Sequence, residues 1–496
     1  MTWTHGLKAS NLPTLFHEKA GRPDDVFVIC DDGRQFSYGQ FWTLAGRMAK
    51  TFATAGAKPG DRIAVQVDKS LEALALFWAC ARGGYVFLPL NTAYTPQEVS
   101  YFLGDAEPAI FITTPKRLDE MSPVAKAAGC QTMFTLDDAG GGCLVDHLST
   151  DECTDHPSSW DDLAAILYTS GTTGRSKGAM LSHGNLASNA LALINIWNFT
   201  RHDRLIHALP VYHTHGLFVA TNTVALSGGQ ILLRRTFNAD DVLSLLPQAT
   251  CLMGVPTFYT RLLQSQRLTR DATAHVRLFV SGSAPLLAET HREFRERTGQ
   301  AILERYGMTE TNMITSNPYE GERRAGTVGF PLPHVEVRVV NEVIEVRGPN
   351  VFKGYWRNPE KTREDMRDDG FFITGDMGFI DNQGYVVING RAKDLIITGG
   401  FNVYPKEIEE AIDALPGVIE SAVIGLPHGD FGEAVTAVVA TQQELDEKQM
   451  IATLSQSLAK FKCPKRILFT PNLPRNAMGK VQKAELRKLH AALYGS

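Results

Sequence analysis

A chain of 496 residues with 44% apolar residues, 21% charged residues and a net charge of -5 has the composition of a globular protein. The slightly acidic balance speaks against nucleic acid or an anionic membrane as the main partner. Seven scattered cysteines without a Cys-x-x-Cys pair fit a reducing compartment, not a disulfide framework or a zinc site.

The start, Met1-Thr-Trp-Thr-His-Gly-Leu-Lys, has no basic segment followed by an apolar run, and no apolar stretch approaches the ~18 residues of a membrane span. A cytoplasmic location is expected. Phe36-Ser-Tyr-Gly-Gln opens a helix in which Ser37 and Gln40 are placed for a capping box. Phe41, Leu44, Ala45, Met48 and Phe52 mark its apolar face, and Gly56 suits its end. Asp61-Arg-Ile-Ala-Val-Gln-Val reads as a strand, Ser70 to Ala81 as a buried helix, and Tyr85-Val-Phe-Leu-Pro-Leu and Ala109-Ile-Phe-Ile as further strands. This alternation predicts α/β layers with much parallel sheet. Residues 137–160 are acidic and rich in Gly and Ser, and read as a surface connection.

That connection leads to Leu163-Ala-Ala-Ile-Leu-Tyr168, a buried strand by its run of apolar residues, and then to Thr169-Ser-Gly-Thr-Thr-Gly-Arg-Ser-Lys-Gly178. Glycines let backbone N–H groups wrap an anion, hydroxyls donate further hydrogen bonds, and Arg175 and Lys177 neutralise charge. The loop suits a polyphosphate, although it lacks the Gly-Lys-[Ser/Thr] ending of a Walker A loop. A plain Gly/Ser/Thr linker is the alternative. Ala179-Met-Leu-Ser-His-Gly-Asn-Leu-Ala is expected to start a helix.

Strands follow at Arg204-Leu-Ile-His, Gln230-Ile-Leu-Leu, Cys251-Leu-Met-Gly-Val, Arg277-Leu-Phe-Val-Ser and Ala301-Ile-Leu-Glu-Arg-Tyr, with a helix from Pro256 to Gln264. From about residue 326 the pattern shifts to antiparallel strands. Val335-Glu-Val-Arg-Val-Val-Asn-Glu-Val-Ile-Glu-Val-Arg leaves only Asn341-Glu342 to turn on, a weak hairpin turn, so a missing longer loop is expected here. A domain boundary falls near Gly390-Arg-Ala-Lys-Asp394. Beyond it lie a helix at Glu407-Ile-Glu-Glu-Ala-Ile, strands at Val418–Gly425 and Ala434–Ala440, a helix over 448–460 and a strand at Arg466-Ile-Leu-Phe, enough for a small α+β domain.

The loop at 169–178, Tyr306-Gly-Met-Thr-Glu-Thr, Thr374-Gly-Asp, Gly390-Arg-Ala-Lys-Asp and Pro474-Arg-Asn-Ala-Met-Gly-Lys480 occur in an order that resembles the adenylate-forming superfamily of acyl-CoA synthetases, luciferases and peptide-synthetase adenylation domains. The resemblance implies a large N-terminal domain over 1–392, with stacked sheets and a β-barrel-like subdomain, and a small mobile C-terminal domain over 393–496. It implies a carboxylate joined to ATP as acyl-AMP, with pyrophosphate released, followed by displacement of AMP by an acceptor. Charge neutralisation and positioning carry such a step.

By the same resemblance Lys480 is the catalytic lysine bridging carboxylate and α-phosphate, Glu310 holds Mg²⁺, and Thr309 reaches the α-phosphate. Thr169, Ser170, Gly171, Thr172, Thr173, Gly174 and Lys177 grip the other phosphates. Tyr306, with Gly307 beside it, covers the adenine, and the turn carrying Ser283 and Ala284 walls it. Asp376 and Arg391 bind the ribose. Lys393 is the hinge on which the small domain turns, so that Lys480 leaves and the acceptor enters. Gly399 and Gly400 come up to the acceptor, or form only a β-turn.

The chain ends soon after Lys480, so a free acceptor such as coenzyme A is expected rather than a carrier domain. The runs Ser281–Met313, Val351–Trp356 and Phe401–Glu409 resemble malonyl-CoA synthetases, which implies malonate, and also methylmalonate, as the acid. A second carboxylate needs a buried cation or several donors. Arg261 is the candidate cation, after the segment Gly254-Val-Pro-Thr-Phe-Tyr that lines the acyl pocket in relatives. His213, also a candidate catalytic residue, and Thr214 add contacts, and Met313 limits pocket depth. A ligase for another short acid, another acceptor, or a non-catalytic nucleotide-binding protein are the alternatives.

Overall fold

The computed structural model describes residues 2–169, 176–476 and 480–495. Two sheets dominate the first 330 residues. The six-stranded one runs Thr132–Thr135, Ile110–Thr113, Arg62–Gln66, Val86–Pro89, Leu163–Thr169, Lys177–Ser182; all its neighbours are parallel except the last pair. The nine-stranded one runs Phe330–Pro331, Asn312–Ser316, Leu303–Met308, Leu278–Ser281, Cys251–Gly254, Arg204–His207, Gln230–Leu233, Val26–Ile29, Gln35–Ser37, parallel in its centre and antiparallel at both edges. The α/β reading holds.

The helix Leu71–Gly83 is apolar on every side and buried from Leu71 to Arg82, because its residues share one core with residues of both sheets. Ser70 caps its start and Gly84, at φ 73°, ends it. The neighbouring helix Tyr38–Thr54 has the expected capping box, with Ser37 accepting from the Gln40 amide and Gln40 bonding back to the Ser37 amide.

Two local expectations are corrected. Residues 177–182 form a strand, not the start of a helix. Lys177–Ser182 pairs antiparallel with Leu163–Thr169, and Ala179 also bridges Tyr355, so backbone groups on both sides are satisfied by sheet partners. The helix begins at His183, capped by Ser182. Leu163–Thr169 and Lys177–Ser182 thus pair as consecutive antiparallel strands. Nor is a loop missing at Asn341. Glu336–Val340 pairs with Val343–Arg347, with Val340 opposite Val343, across a two-residue turn. Asn341 and Glu342 both have positive φ, 49° and 65°, the conformation of a type I′ hairpin.

The expected β-barrel-like subdomain takes the form of a four-stranded antiparallel sheet of Glu336–Val340, Val343–Arg347, Phe372–Ile380 and Val386–Arg391. The last strand ends at Arg391, and the next, Ile396–Thr398, belongs to a separate sheet. Residues 392–395 join the two. The far side contains Phe401–Val403, Gly432–Ala440, Glu420–His428 and Arg466–Thr470, with helices Pro405–Asp413, Glu447–Leu454 and Lys483–Leu489. Its two cores draw only on residues after 395. The helix expected over 448–460 stops at Leu454. Among the described residues no helix is long and apolar enough to cross a membrane.

Candidate active site

The strand Leu303–Met308 points its last residues at the place where the four-stranded sheet meets the rest. Its pairing with Asn312–Ser316 shifts register at Tyr306/Gly307, and a Cβ on Gly307 would lie 2.0 Å from the Asn312 carbonyl oxygen. The shift lets Tyr306 donate its hydroxyl to Asp376 Oδ2 at 2.5 Å. Arg391 Nε reaches the other oxygen, Oδ1, at 2.9 Å. Asp376 and Arg391 are opposite one another on paired strands, so the sheet sets their spacing. Burial, then Asp376, holds the Tyr306 phenol protonated, well above its usual range. Three groups with acceptor and donor capacity therefore converge, Tyr306 and Asp376 buried and Arg391 half-exposed beside them.

Glu310 follows in the turn after this strand. It is buried, and burial raises its carboxyl above the usual range. Tyr355 donates to its Oε1 at 3.1 Å. Lys177 Nζ lies 4.5 Å from the centroid of the Tyr355 ring, so the hairpin carrying the Gly-rich loop is tied to Glu310 through one aromatic side chain. Thr309 is beside Glu310 and partly exposed. Among the described residues no group of three metal-ligating side chains occurs. A lone buried carboxylate with one neutral donor still fits Mg²⁺, which takes one or two carboxylates and fills its remaining positions with phosphate oxygens and water.

Lys480 arrives from the far end of the chain. The residue as a whole is exposed, but its ammonium is crowded by protein and stands in the field of Arg391, Asp376, Glu310 and Arg305. Loss of hydration pushes its ammonium down to about 8, and Arg391 pushes the same way. Asp376 and Glu310 oppose the shift, while Arg305 adds to it.

Near Lys480 lies a buried cluster of polar groups that lack partners among the described residues. Arg305 is buried, and its Nε and Nη2 have no hydrogen-bond partner among the described residues. Its guanidinium lies over Gly282, where a Cβ would come within 2.4 Å of it. Burial pushes Arg305 down to about 9. Thr214 Oγ1, His215 Nε2 and Ser281 Oγ are likewise buried and unpartnered among the described residues. His213 is pushed down to about 3 by burial, then by the charges of Lys480 and Arg305, and is neutral at pH 7. Its Nδ1 accepts a long bond of 3.4 Å from the His215 amide, and His215 Nδ1 contacts Ser283 Oγ at 3.2 Å. Ser283 holds φ 71°, left-handed backbone that only a fixed environment sustains in a side-chain-bearing residue.

The histidine segment is anchored from behind. Lys69 is buried and spends its three donors on His207 Nδ1 at 2.8 Å, the His207 carbonyl at 2.7 Å and the Leu209 carbonyl at 2.8 Å. With Nδ1 accepting, His207 carries its proton on Nε2 and donates to the Gly216 carbonyl at 2.9 Å. Both ends of the 208–216 turn are fixed in this way.

A family model described as AMP-binding enzyme matches residues 15–356, and one described as the C-terminal domain of AMP-binding enzymes matches residues 407–480. The chain belongs to the AMP-binding enzymes. Within that family it is 33% identical to the malonate–CoA ligase of Arabidopsis thaliana, over 95% of this chain and 87% of that protein. The crystal structure of ATP-bound MatB from Rhodopseudomonas palustris is 55% identical, covering 97% of this chain and 99% of that one, with a TM-score of 0.94. Apo MatB from the same organism, at the same identity and covering 98% of this chain and 99% of that one, gives a TM-score of 0.83.

In this AMP-binding enzyme the expected residues Lys480, Glu310, Tyr306, Asp376, Arg391 and Lys177 come together in one cleft. Ser170, Gly171, Thr172, Thr173 and Gly174 lie outside the described residues. Thr169 ends its strand with Oγ1 at 3.4 Å from the Lys177 carbonyl oxygen. Gly399 and Gly400, at φ 56° and 83°, form the turn between Ile396–Thr398 and Phe401–Val403, with open space where a Cβ would stand and the Gly399 amide donating to the Phe431 carbonyl at 2.8 Å. Lys393 lies in the short connection between the two sheets. Met313 packs on Gly307, with its Cε 2.7 Å from where a Cβ would stand. Arg261 is exposed on the helix Pro256–Leu263. The buried cation on this side is Arg305, which sequence reasoning missed along with Tyr355 and Lys69. Arg305 had one usable signal: with Glu304 it sets two adjacent charges in a strand that is buried from Leu303 to Tyr306.

Proposed function

We infer that this AMP-binding enzyme ligates malonate to coenzyme A in two steps. Malonate and ATP give malonyl-AMP and pyrophosphate; the thiol of coenzyme A then attacks the acyl carbon, AMP departs, and the thiol proton is lost. The similarity to malonate–CoA ligases supports this reading. The observation that carries it in the chain itself is Arg305, a buried guanidinium whose Nε and Nη2 have no partner among the described residues, near His215 Nε2, Thr214 Oγ1 and Ser281 Oγ, which also lack one there. A second carboxylate satisfies such a wall, whereas an apolar acyl chain leaves it unpaired.

Each residue then has a task. Lys480 neutralises the reacting carboxylate and the α-phosphate as they approach. Asp376 and Arg391 hold the ribose, and Tyr306 and the Ser283–Ala284 turn flank the adenine. Lys177 and the Gly-rich loop take the departing phosphates, with Thr309 on the α-phosphate. Glu310 would hold Mg²⁺, which when bound neutralises phosphate charge. Neutral His213 donates from Nε2 and Arg305 takes the distal carboxylate, the role expected of Arg261. Met313 closes the pocket, Lys393 serves as the hinge, and the Gly399-Gly400 turn meets coenzyme A.

Pyrophosphate release measured with malonate, methylmalonate, succinate and acetate, with and without coenzyme A, tests the reading. Malonate and methylmalonate should be the best acids, and coenzyme A should convert single-turnover release into steady turnover. Acetate turning over as well as malonate would remove malonate as the substrate.

A further inference from the structure

The turn at Asn341-Glu342 asks for residues that accept positive φ. Asparagine does so readily, but glutamate at φ 65° is strained, and glycine would be the relaxed choice. The glutamate side chain has a use: its Oε2 accepts a hydrogen bond of 2.7 Å from the Tyr404 hydroxyl. Tyr404 belongs to the other side of the 392–395 connection and caps the start of the helix Pro405–Asp413. Two residues on, Lys406 Nζ donates to the Ile388 carbonyl at 2.5 Å, on the last strand of the four-stranded sheet. The residues 404–406 thus clasp the large domain at two points. With the clasp made, Lys480 stands in the field of Asp376, Glu310 and Arg305. The covalent connection alone is four residues long and cannot fix that placement.

We propose that Glu342 and Tyr404 form an interdomain latch that positions Lys480 for acyl-adenylate formation, and that the strained glutamate occupies a glycine-type position for this purpose. The latch rests on the functional reading above for its half-reaction assignment, and on geometry alone for its mechanical role. It has a one-sided consequence. It supports the step that needs Lys480 in the cleft and gives nothing to the step that needs Lys480 out of it.

Two half-reactions and one structural readout test this. Tyr404→Phe should slow malonate-dependent pyrophosphate release about five-fold, the scale of one solvent-exposed hydrogen bond to a carboxylate. Thioester formation from supplied malonyl-AMP should be unchanged or faster. Glu342→Gly should show the same split while raising the melting temperature, because the turn relaxes; Glu342→Gln, which keeps an acceptor, should recover part of the rate. Trypsin, which cleaves after Arg391 and Lys393, should cut ligand-free Tyr404→Phe faster than wild type. Equal losses in both half-reactions, or unchanged cleavage, would overturn the latch. Wild type without malonate-dependent pyrophosphate release would overturn the functional reading instead, and the cleavage rates would still decide the latch.

Discussion

Arg305 holds a charge where a protein can least tolerate one. Its Nε and Nη2 have no partner among the described residues, and an incompletely paired buried cation costs several kcal/mol, so its presence argues for a ligand that completes it. Arg305→Met keeps much of the volume and removes the charge. It should lower kcat/KM for malonate by about a hundred-fold or more while leaving the protein at least as stable, which steady-state kinetics and a thermal melt would show together. Arg261→Ala, on an exposed helix face, should leave both near wild type. Lys480 adds a pH dependence. With its ammonium lowered to about 8, it is charged below that pH and loses its proton above it. The kcat/KM for malonate-dependent pyrophosphate release should therefore fall as pH rises through about 8, a limb that Lys480→Arg should move to higher pH. His213, pushed down to about 3, should contribute no limb near 6.5.

At the scale of elements, the hairpin Leu163–Thr169 with Lys177–Ser182 does two jobs. It closes the six-stranded sheet, and it holds Lys177 over Tyr355, whose hydroxyl is on Glu310. Lys177→Ala should slow pyrophosphate release at least about ten-fold, with a smaller effect on thioester formation from supplied malonyl-AMP, which has no β- or γ-phosphate. Rapid-quench assays of each half-reaction would measure the difference. These elements also show what could be read from the chain. The capping box at Ser37 and Gln40 and the caps at Ser70 and Gly84 are local chemistry, and local chemistry is visible in sequence. The strand at 177–182 was not, because only the neighbours Leu163–Thr169 and Tyr355 make it a strand, and one of them is far away along the chain. The residues proposed for the nucleotide could be named from sequence because each sits in a short distinctive run. For the proposed acid pocket only His213, Thr214 and Met313 could be named, since Ser281 and Arg305 acquire meaning only when separate segments meet.

The whole molecule places half of its chemistry on each side of residues 392–395. Lys480 comes from one side, and Asp376, Glu310, Arg305 and Lys177 from the other. Proline at position 393 would pin φ near -65° and restrict rotation there. Lys393→Pro should leave malonyl-AMP formation largely intact and slow thioester formation by about ten-fold or more, as single-turnover assays would show; equal slowing of both steps would count against a hinge at this residue.

The pairing of Val28 with Ile231 sets a timetable for biosynthesis. The first strand of the chain emerges from the ribosome long before its central partner, and at ordinary translation rates it waits roughly ten to forty seconds. Val26–Ile29 has only its hairpin neighbour Gln35–Ser37 for that interval, with its other edge open, whereas the last hundred residues carry all of their own sheet partners. The nascent large domain is therefore the natural client of chaperones, and the small domain can close almost as soon as it is made.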